Sequence, residues 1–285
     1  MADRLDALFA HFAVSARVFN TGAICGINDL DEPDVGHLHV VRSGWLDVHH
    51  GGRRAIEIRE PSLLLYPKPM AHRFVSDPVQ GAELTCARLG FAGGASNPIA
   101  NALPPFLAMP LSSLGWTASL LDALFDEASH DYCGRQVVLD RLFEVLFVQV
   151  LRTLMLQGEV QAGLMAGLAH PKLRHALVAM HEQPAEDWSL DALAQRAGMS
   201  RSVFANAFRE AVGDTPAAYL QRWRVGLAQQ ALSEGQALKR VADLVGYSGE
   251  AALSRAFKAQ TGLSPREWRT AARVSSSGDD ARPLR

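Results

Sequence analysis

Leu190-Asp-Ala-Leu-Ala-Gln-Arg-Ala-Gly198-Met-Ser200, followed by Arg201 to Arg209, decides how the chain is organised. It reads as two short helices joined by a sharp turn. Ala194 is small enough for two helices to cross closely, Gly198 permits the turn, and Ser200 is suited to cap the second helix through its hydroxyl. Val203, Phe204, Ala207 and Phe208 are expected to hold that second helix to the first, leaving Ser202, Ala205, Asn206 and Arg209 outward. The arrangement recurs in Leu238-Lys-Arg-Val241-Ala242-Asp-Leu-Val-Gly246-Tyr-Ser248 and Gly249 to Lys258. Ala242 and Gly246 repeat the spacing of Ala194 and Gly198, and Leu253 and Phe257 that of Phe204 and Phe208. Both copies end alike. Gly213-Asp-Thr-Pro216 and Gly262-Leu-Ser-Pro265 each place a glycine after one helix, then a hydroxyl cap and a proline at the start of the next.

Outward from this pair, residues 171–274 read as helices with short breaks, and 275–285 as a disordered tail. Residues 171–274 carry 14 Lys and Arg against 10 Asp and Glu, an excess of +4. Residues 1–170 carry 12 against 18, a balance of −6, so the net charge of −2 averages an acidic module and a basic one. The basic module is the one suited to a polyanion. Residues 96–170 read as a helical connector. Its helix at Arg135 to Leu156 carries Leu139, Leu142, Phe143, Leu146, Val150 and Leu154 on one face, widened by Val138, Val145, Phe147 and Leu151. So broad an apolar face fits either a helix sandwiched inside the chain or a homodimer contact. Before it, short extended pieces between Thr21 and Phe91, punctuated by Gly and Pro, suggest a small sandwich or barrel. A short amphipathic helix with Leu5, Leu8, Phe9 and Phe12 precedes them.

The final hundred residues resemble the AraC/XylS family of bacterial transcription regulators. The closing pattern Phe257-Lys-x-x-x-Gly262-Leu-Ser-Pro265-x-x-Trp268-Arg269 is similar to that family's signature, with Trp where Tyr is usual. The resemblance implies two helix-turn-helix units joined by the helix Pro216 to Leu232, each recognition helix entering a major groove, with the grooves roughly 34 Å apart. Carried over by position, Ser202, Ala205 and Asn206, and Glu250, Ala251, Ser254 and Arg255, would face bases. Arg255 suits guanine, Asn206 adenine and Glu250 cytosine, whereas Ala205 and Ala251 offer thymine a methyl contact. Arg201, Arg209, Arg222, Arg224 and Lys258 read as phosphate contacts.

Gly36-His37-Leu38-His39-Val-Val-Arg-Ser-Gly44 and Ser62-Leu-Leu-Leu-Tyr-Pro67-x-x-x-x-His72 resemble the two motifs of a cupin barrel, in the subgroup fused to AraC-type DNA-binding domains. The fold expected is therefore α+β and multidomain: a cupin β-barrel sensor over residues 1–95, the connector and dimerisation region over 96–170, and an all-α double helix-turn-helix domain over 171–274. Cys25, His39, His72 and Cys86 are spaced so that each Cys lies one hairpin-sized step outside a His. Convergence of all four would make a closed tetrahedral zinc site, structural or regulatory. The alternatives are a redox pair of Cys25 with Cys86, or buried, inert residues. His37 lies on the same side of its strand as His39 and is the expected substitute ligand. His49 and His50, beside Gly51-Gly52, read as an exposed turn.

Three Cys in 285 residues make no disulfide framework, and the N-terminus lacks a basic segment followed by a cleavable apolar one, so a cytoplasmic protein with reduced thiols is expected. The leading expectation is a one-component regulator, not an enzyme, that binds operator DNA as a homodimer, with RNA polymerase a further candidate partner and a small molecule or oxidant as effector. One rival is a cupin metalloenzyme such as a dioxygenase, which needs an open metal position and usually a carboxylate ligand; the Glu expected in the first cupin motif is missing. Another is a cupin that serves only as a dimerisation scaffold.

Overall fold

The computed structural model describes residues 3–157 and 163–270, so the expected tail at 275–285 lies outside the described residues. In chain order the elements are α1 (Asp6–His11), β1 (Val14–Ile24), β2 (Ile27–Leu30), β3 (Gly36–Ser43), β4 (Leu46–His49), β5 (Ile56–Ile58), β6 (Ser62–Tyr66), β7 (His72–Ser76), β8 (Ala82–Phe91), α2 (Pro98–Asn101) and β9 (Leu107–Pro110), then α3 (Ala118–Ser129), α4 (Arg135–Gln157), α5 (Leu164–Ala169), α6 (Leu173–Glu182), α7 (Leu190–Arg196), α8 (Arg201–Val212), α9 (Pro216–Ser233), α10 (Leu238–Leu244), α11 (Glu250–Thr261) and α12 (265–270). They divide into two compact units, one of Ala13–Ala95 with Ile99–Glu159 and the other of Met1–Phe12, Ser96–Pro98 and Val160–Arg285. The contacts thus group α3 and α4 with the sheets, and α1 with the C-terminal helices.

The sheet-rich unit is a sandwich. A five-stranded sheet ordered β1-β8-β3-β6-β9 faces a four-stranded sheet ordered β2-β7-β4-β5, and every described pairing is antiparallel. The expected closed barrel is not formed: no described ladder joins the two sheets. The core between them takes Val41, Leu64, Tyr66, Leu84 and Cys86 from one side and Leu46, Val48, Ile58 and Phe74 from the other. On β4 and β7 burial alternates, so a one-residue slip would turn their core side chains outward, whereas β6 is buried on both faces.

An open sheet leaves edges, and α4 covers one of them. Gln136, Asp140 and Glu144, one helical turn apart, run along edge strand β1. Asp140 Oδ1 accepts from Val18 N at 2.7 Å, Glu144 Oε1 accepts from Ala16 N at 3.3 Å, and Gln136 Nε2 donates to Val18 O at 2.9 Å. Side chains thereby occupy backbone groups that would otherwise template another strand. The broad apolar face of α4 is divided in use. Leu139, Phe143, Leu146, Phe147, Val150, Leu151 and Leu154 are buried within the chain, while Val138 and Val145 remain 41% and 45% exposed.

In the helical unit the sequence punctuation is realised atom by atom. Gly213 and Gly262 end α8 and α11 in left-handed conformation, at φ 82° and 77°. Thr215 accepts from Ala218 N at 3.2 Å to cap α9, with Pro216 in its first turn. Ser264 and Glu267 bond reciprocally at the start of α12. Ser200, expected to cap α8 through its side chain, occupies the cap position without that bond. Leu8 of α1 and Phe12, which follows it, are buried in this unit, the Phe12 ring 5.1 Å from that of Trp223.

Candidate nucleic-acid interface and buried histidine cluster

The two helix pairs α7–α8 and α10–α11 bury equivalent residues: Leu193, Ala194, Phe204 and Phe208 in the first, Val241, Ala242, Leu253 and Phe257 in the second. What remains outward on α8 is Arg201, Ser202, Val203, Asn206, Arg209 and Glu210, with Ala205 half-buried. Val203 was expected inside and is instead 54% exposed. At about 100° per residue, the meridian set by Phe204 and Phe208 puts Val203 on the opposite flank, next to Asn206. On α11, Glu250, Ala251, Arg255 and Lys258 are exposed and Ser254 half-buried.

The basic residues assigned to phosphates differ in what they already touch. Arg224 Nε donates to Pro184 O at 2.6 Å and its Nη2 to Glu186 O at 2.8 Å, and the guanidinium lies 5.8 Å from the Tyr247 ring. Two of its donors hold the α6–α7 loop, and burial lowers its pKa. Arg222 is paired with Asp214, and Arg201 with Asp191 at 3.2 Å. Arg209, Arg255 and Lys258 make no ion pair among the described residues and are free to meet a polyanion.

In the other unit, β3 and β7 face each other and bring together His37, His39 and His72. One nitrogen from each ring lies within 4.8 Å of the others, and all three residues are buried. His72 Nδ1–H donates to Met70 O at 2.8 Å, which leaves the Nε2 lone pair facing His39 Nε2 at 3.2 Å. Tyr66 stacks on His72 with centroids 4.0 Å apart, and Phe74 lies 4.9 Å from His39. Burial pushes the His72 pKa down to about 4, the His39 value well below normal and that of His37 down, so all three rings are neutral at pH 7. Neutral imidazole is the ligating form. Both nitrogens of His37 and Nδ1 of His39 are buried without a hydrogen-bond partner among the described residues. Glu32 is the carboxylate beside the cluster. Its Oε2 lies 3.7 Å from His37 Nε2, while Arg88 grips it through two bonds of 2.5 and 2.8 Å.

The four-ligand set expected from spacing does not assemble. Cys86 pairs across the sheet with His39 on one side and Asn20 on the other, but its Sγ lies outside the imidazole group. Burial pushes its thiol up to about 12. Cys25 follows the end of β1, exposed, with Sγ 4.0 Å from Val79 O. It is five residues along β1 from Asn20, or on the order of 16 Å, beyond the reach of either a shared metal or a disulfide with Cys86. His50 is likewise not an exposed turn residue: it is buried, with Nε2 2.9 Å from Tyr66 Oη.

Comparison with known proteins fits this geometry. A family model described as "Cupin" matches residues 3–156, and one described as "Helix-turn-helix domain" matches 193–271. A putative AraC-like transcription regulator of Streptomyces lividans is 32% identical over 270 residues, spanning 84% of this chain and 88% of its own length. The chain belongs to the AraC-like transcription regulators. This regulator is also 37% identical over 178 residues to the HTH-type transcriptional regulator AlkR of Acinetobacter baylyi, covering 61% of this chain and 58% of AlkR. It is 26% identical over 245 residues to the RCS-specific HTH-type transcriptional activator RclR of Escherichia coli, covering 82% and 86%. The regulator binds DNA through its helix-turn-helix domain. No described helix is long and apolar enough to cross a membrane.

Proposed function

We propose that this regulator is a one-component sensor whose sandwich binds one transition-metal ion through His37, His39 and His72. The observation that carries this reading is the convergence of three buried, neutral imidazoles whose nitrogens largely lack other partners. Three imidazoles suit Zn, Cu, Fe or Ni, and leave a further coordination position for an effector atom. When bound, the ion would supply a Lewis-acidic centre that recognises an incoming donor; the protein sets its surroundings through the Met70 carbonyl, the Tyr66 stack and the Glu32–Arg88 pair. Zinc in a closed set with Cys25 and Cys86 is not supported by their positions. The relatives are named as regulators, which supports a regulatory role for the sandwich.

Metal analysis of protein purified under reducing conditions without added metal tests this. About one equivalent per chain is expected, falling to a background level in H39A and retained in C25S. Substoichiometric metal in the wild-type chain, or full retention in H39A, sinks the reading.

On the DNA side, Asn206, Ser202 and Val203 on α8, and Arg255, Glu250 and Ala251 on α11, are proposed to read bases, with Arg209 and Lys258 on phosphates. Homodimerisation through exposed Val138 and Val145 of α4 would provide the second half-site contact. Arg255→Ala is expected to relax preference at one operator position and lower affinity about 10-fold, the lower part of the range for a bidentate Arg–guanine contact. Selection from randomised sites measures it, and an unchanged base profile would count against the placement of α11.

A further inference from the structure

Arg4, preceding α1, Arg174 in the first turn of α6 and Arg196 in the last turn of α7 converge on one cavity of about 270 Å³, with Val178 and Ala179 on one wall and Glu182 at its side. Their state differs from that of the eight arginines held by carboxylates. Arg17, Arg42, Arg59, Arg73, Arg88, Arg141, Arg201 and Arg222 each pair with a carboxylate. None of the three cavity arginines does so among the described residues. Arg4 Nη1 donates to Leu168 O at 3.3 Å, and Arg196 lies over the Trp188 ring at 5.5 Å. Arg174 Nε is buried with no acceptor among the described residues. A shielded charged donor without a partner is unfavourable unless something else supplies the oxygen.

We infer that this cavity binds a small organic or inorganic dianion, a dicarboxylate or a phosphate, making the DNA-binding unit a second input site of the regulator. Three guanidinium groups against one carboxylate leave a lining charge that a dianion neutralises, and the planar forks of arginine match paired oxyanion geometry. Val178 and Ala179 offer a short carbon skeleton an apolar wall. The volume leaves room for a small acid and is below the usual size of drug-binding pockets. DNA is not the expected occupant. None of the outward residues of α8 or α11 lines the cavity, and its walls are α6, the end of α7 and the N-terminal segment. An anion there would tie α7, the first helix of the first helix-turn-helix, to α6.

Calorimetric titration of the full chain with sodium succinate and, separately, inorganic phosphate tests the inference, with sodium chloride at matched ionic strength as the blank. One site per chain is expected for at least one of the two probes, weakened 10-fold or more in both R174Q and R4Q and unchanged in R141Q. R4Q removes a guanidinium from the N-terminal segment and keeps the test decisive should R174Q fold poorly. Prior saturation with operator DNA is expected to leave the titration intact. Heats equal to the chloride blank, binding retained in R4Q, or displacement of the anion by operator DNA would each overturn the proposal, the last by making a DNA phosphate the occupant.

Discussion

Gly246→Ala is expected to unfold or dislodge the second helix-turn-helix and abolish specific operator binding, while Gly198→Ala leaves the regulator folded. The two glycines occupy the same place in their motifs, and both are left-handed, at φ 76° and 60°. An alanine in that conformation costs about 1 kcal/mol at either site. Their surroundings separate them. A Cβ at Gly198 would meet none of the described residues within 4 Å, whereas one at Gly246 would sit 2.5 Å from Ala185 Cα and 2.6 Å from its carbonyl oxygen. Those neighbours are backbone and cannot rotate away. The loop they belong to is also pinned from α9, by the Arg224 bonds to Pro184 and Glu186. Forcing the contact therefore adds a clash on the order of 1–3 kcal/mol or more, a large part of the stability of an ordinary domain. Urea unfolding of the helical unit and gel-shift titration measure the pair. Equal losses in the two variants would show that the turn of the second motif does not rest on the Ala185 backbone.

This joint also shows where sequence reasoning stops. The helix ends were legible because Gly213, Thr215, Pro216 and Gly262 act on groups within a few residues of themselves. Phe204, Phe208, Leu253 and Phe257 were legible because helical period decides which side they take. Val203 does not share the side of its neighbour Phe204, because one residue on a helix is a turn of about 100°. Arg224 looked like a phosphate contact because its carbonyl partners lie some 40 residues away, at Pro184 and Glu186. Charge alone does not reveal a partner brought in by folding.

The sandwich was less readable than the helices for the same reason. Strand existence depends on neighbours. β1 begins at Val14, well before the first extended piece expected, and its Ala16 and Val18 are completed by α4 residues more than a hundred positions away. β9 lies in a Pro-containing stretch with no period and is a strand because β6 pairs with it. The histidines were recognised by motif, but the ligand set was not, since spacing between Cys and His says nothing of register. The pairing of Asn20, rather than Cys25, with Cys86 removes one thiol from the site, and the alternation of β3 puts His37 in its place.

Acid should weaken the helical unit through His181, a deeply buried histidine. This α6 side chain is buried, with Nε2 2.5 Å from Tyr219 Oη and its ring stacked 4.1 Å from that of Trp223 on α9. Burial, with a smaller contribution from the His11 charge on α1, pushes its pKa down to about 3 from 6.5. Between those values the unfolded chain holds a proton that the folded one excludes, so stability is complete above about pH 6.5 and lost as pH falls. The loss approaches 1.4 kcal/mol per pH unit, or about 2 kcal/mol at pH 5, and at that pH it hardly depends on how low the folded value lies. His181→Leu removes the titrating ring but leaves the Tyr219 hydroxyl buried without its partner, a cost of about 1–3 kcal/mol at every pH. The variant should therefore be clearly weaker than wild type at pH 7.5 and nearly equal to it at pH 5. Urea midpoints of the helical unit at the two pH values give the comparison, and groups common to both proteins cancel in the difference. A wild-type loss between pH 7.5 and 5 that His181→Leu reproduces in full would assign the acid sensitivity elsewhere.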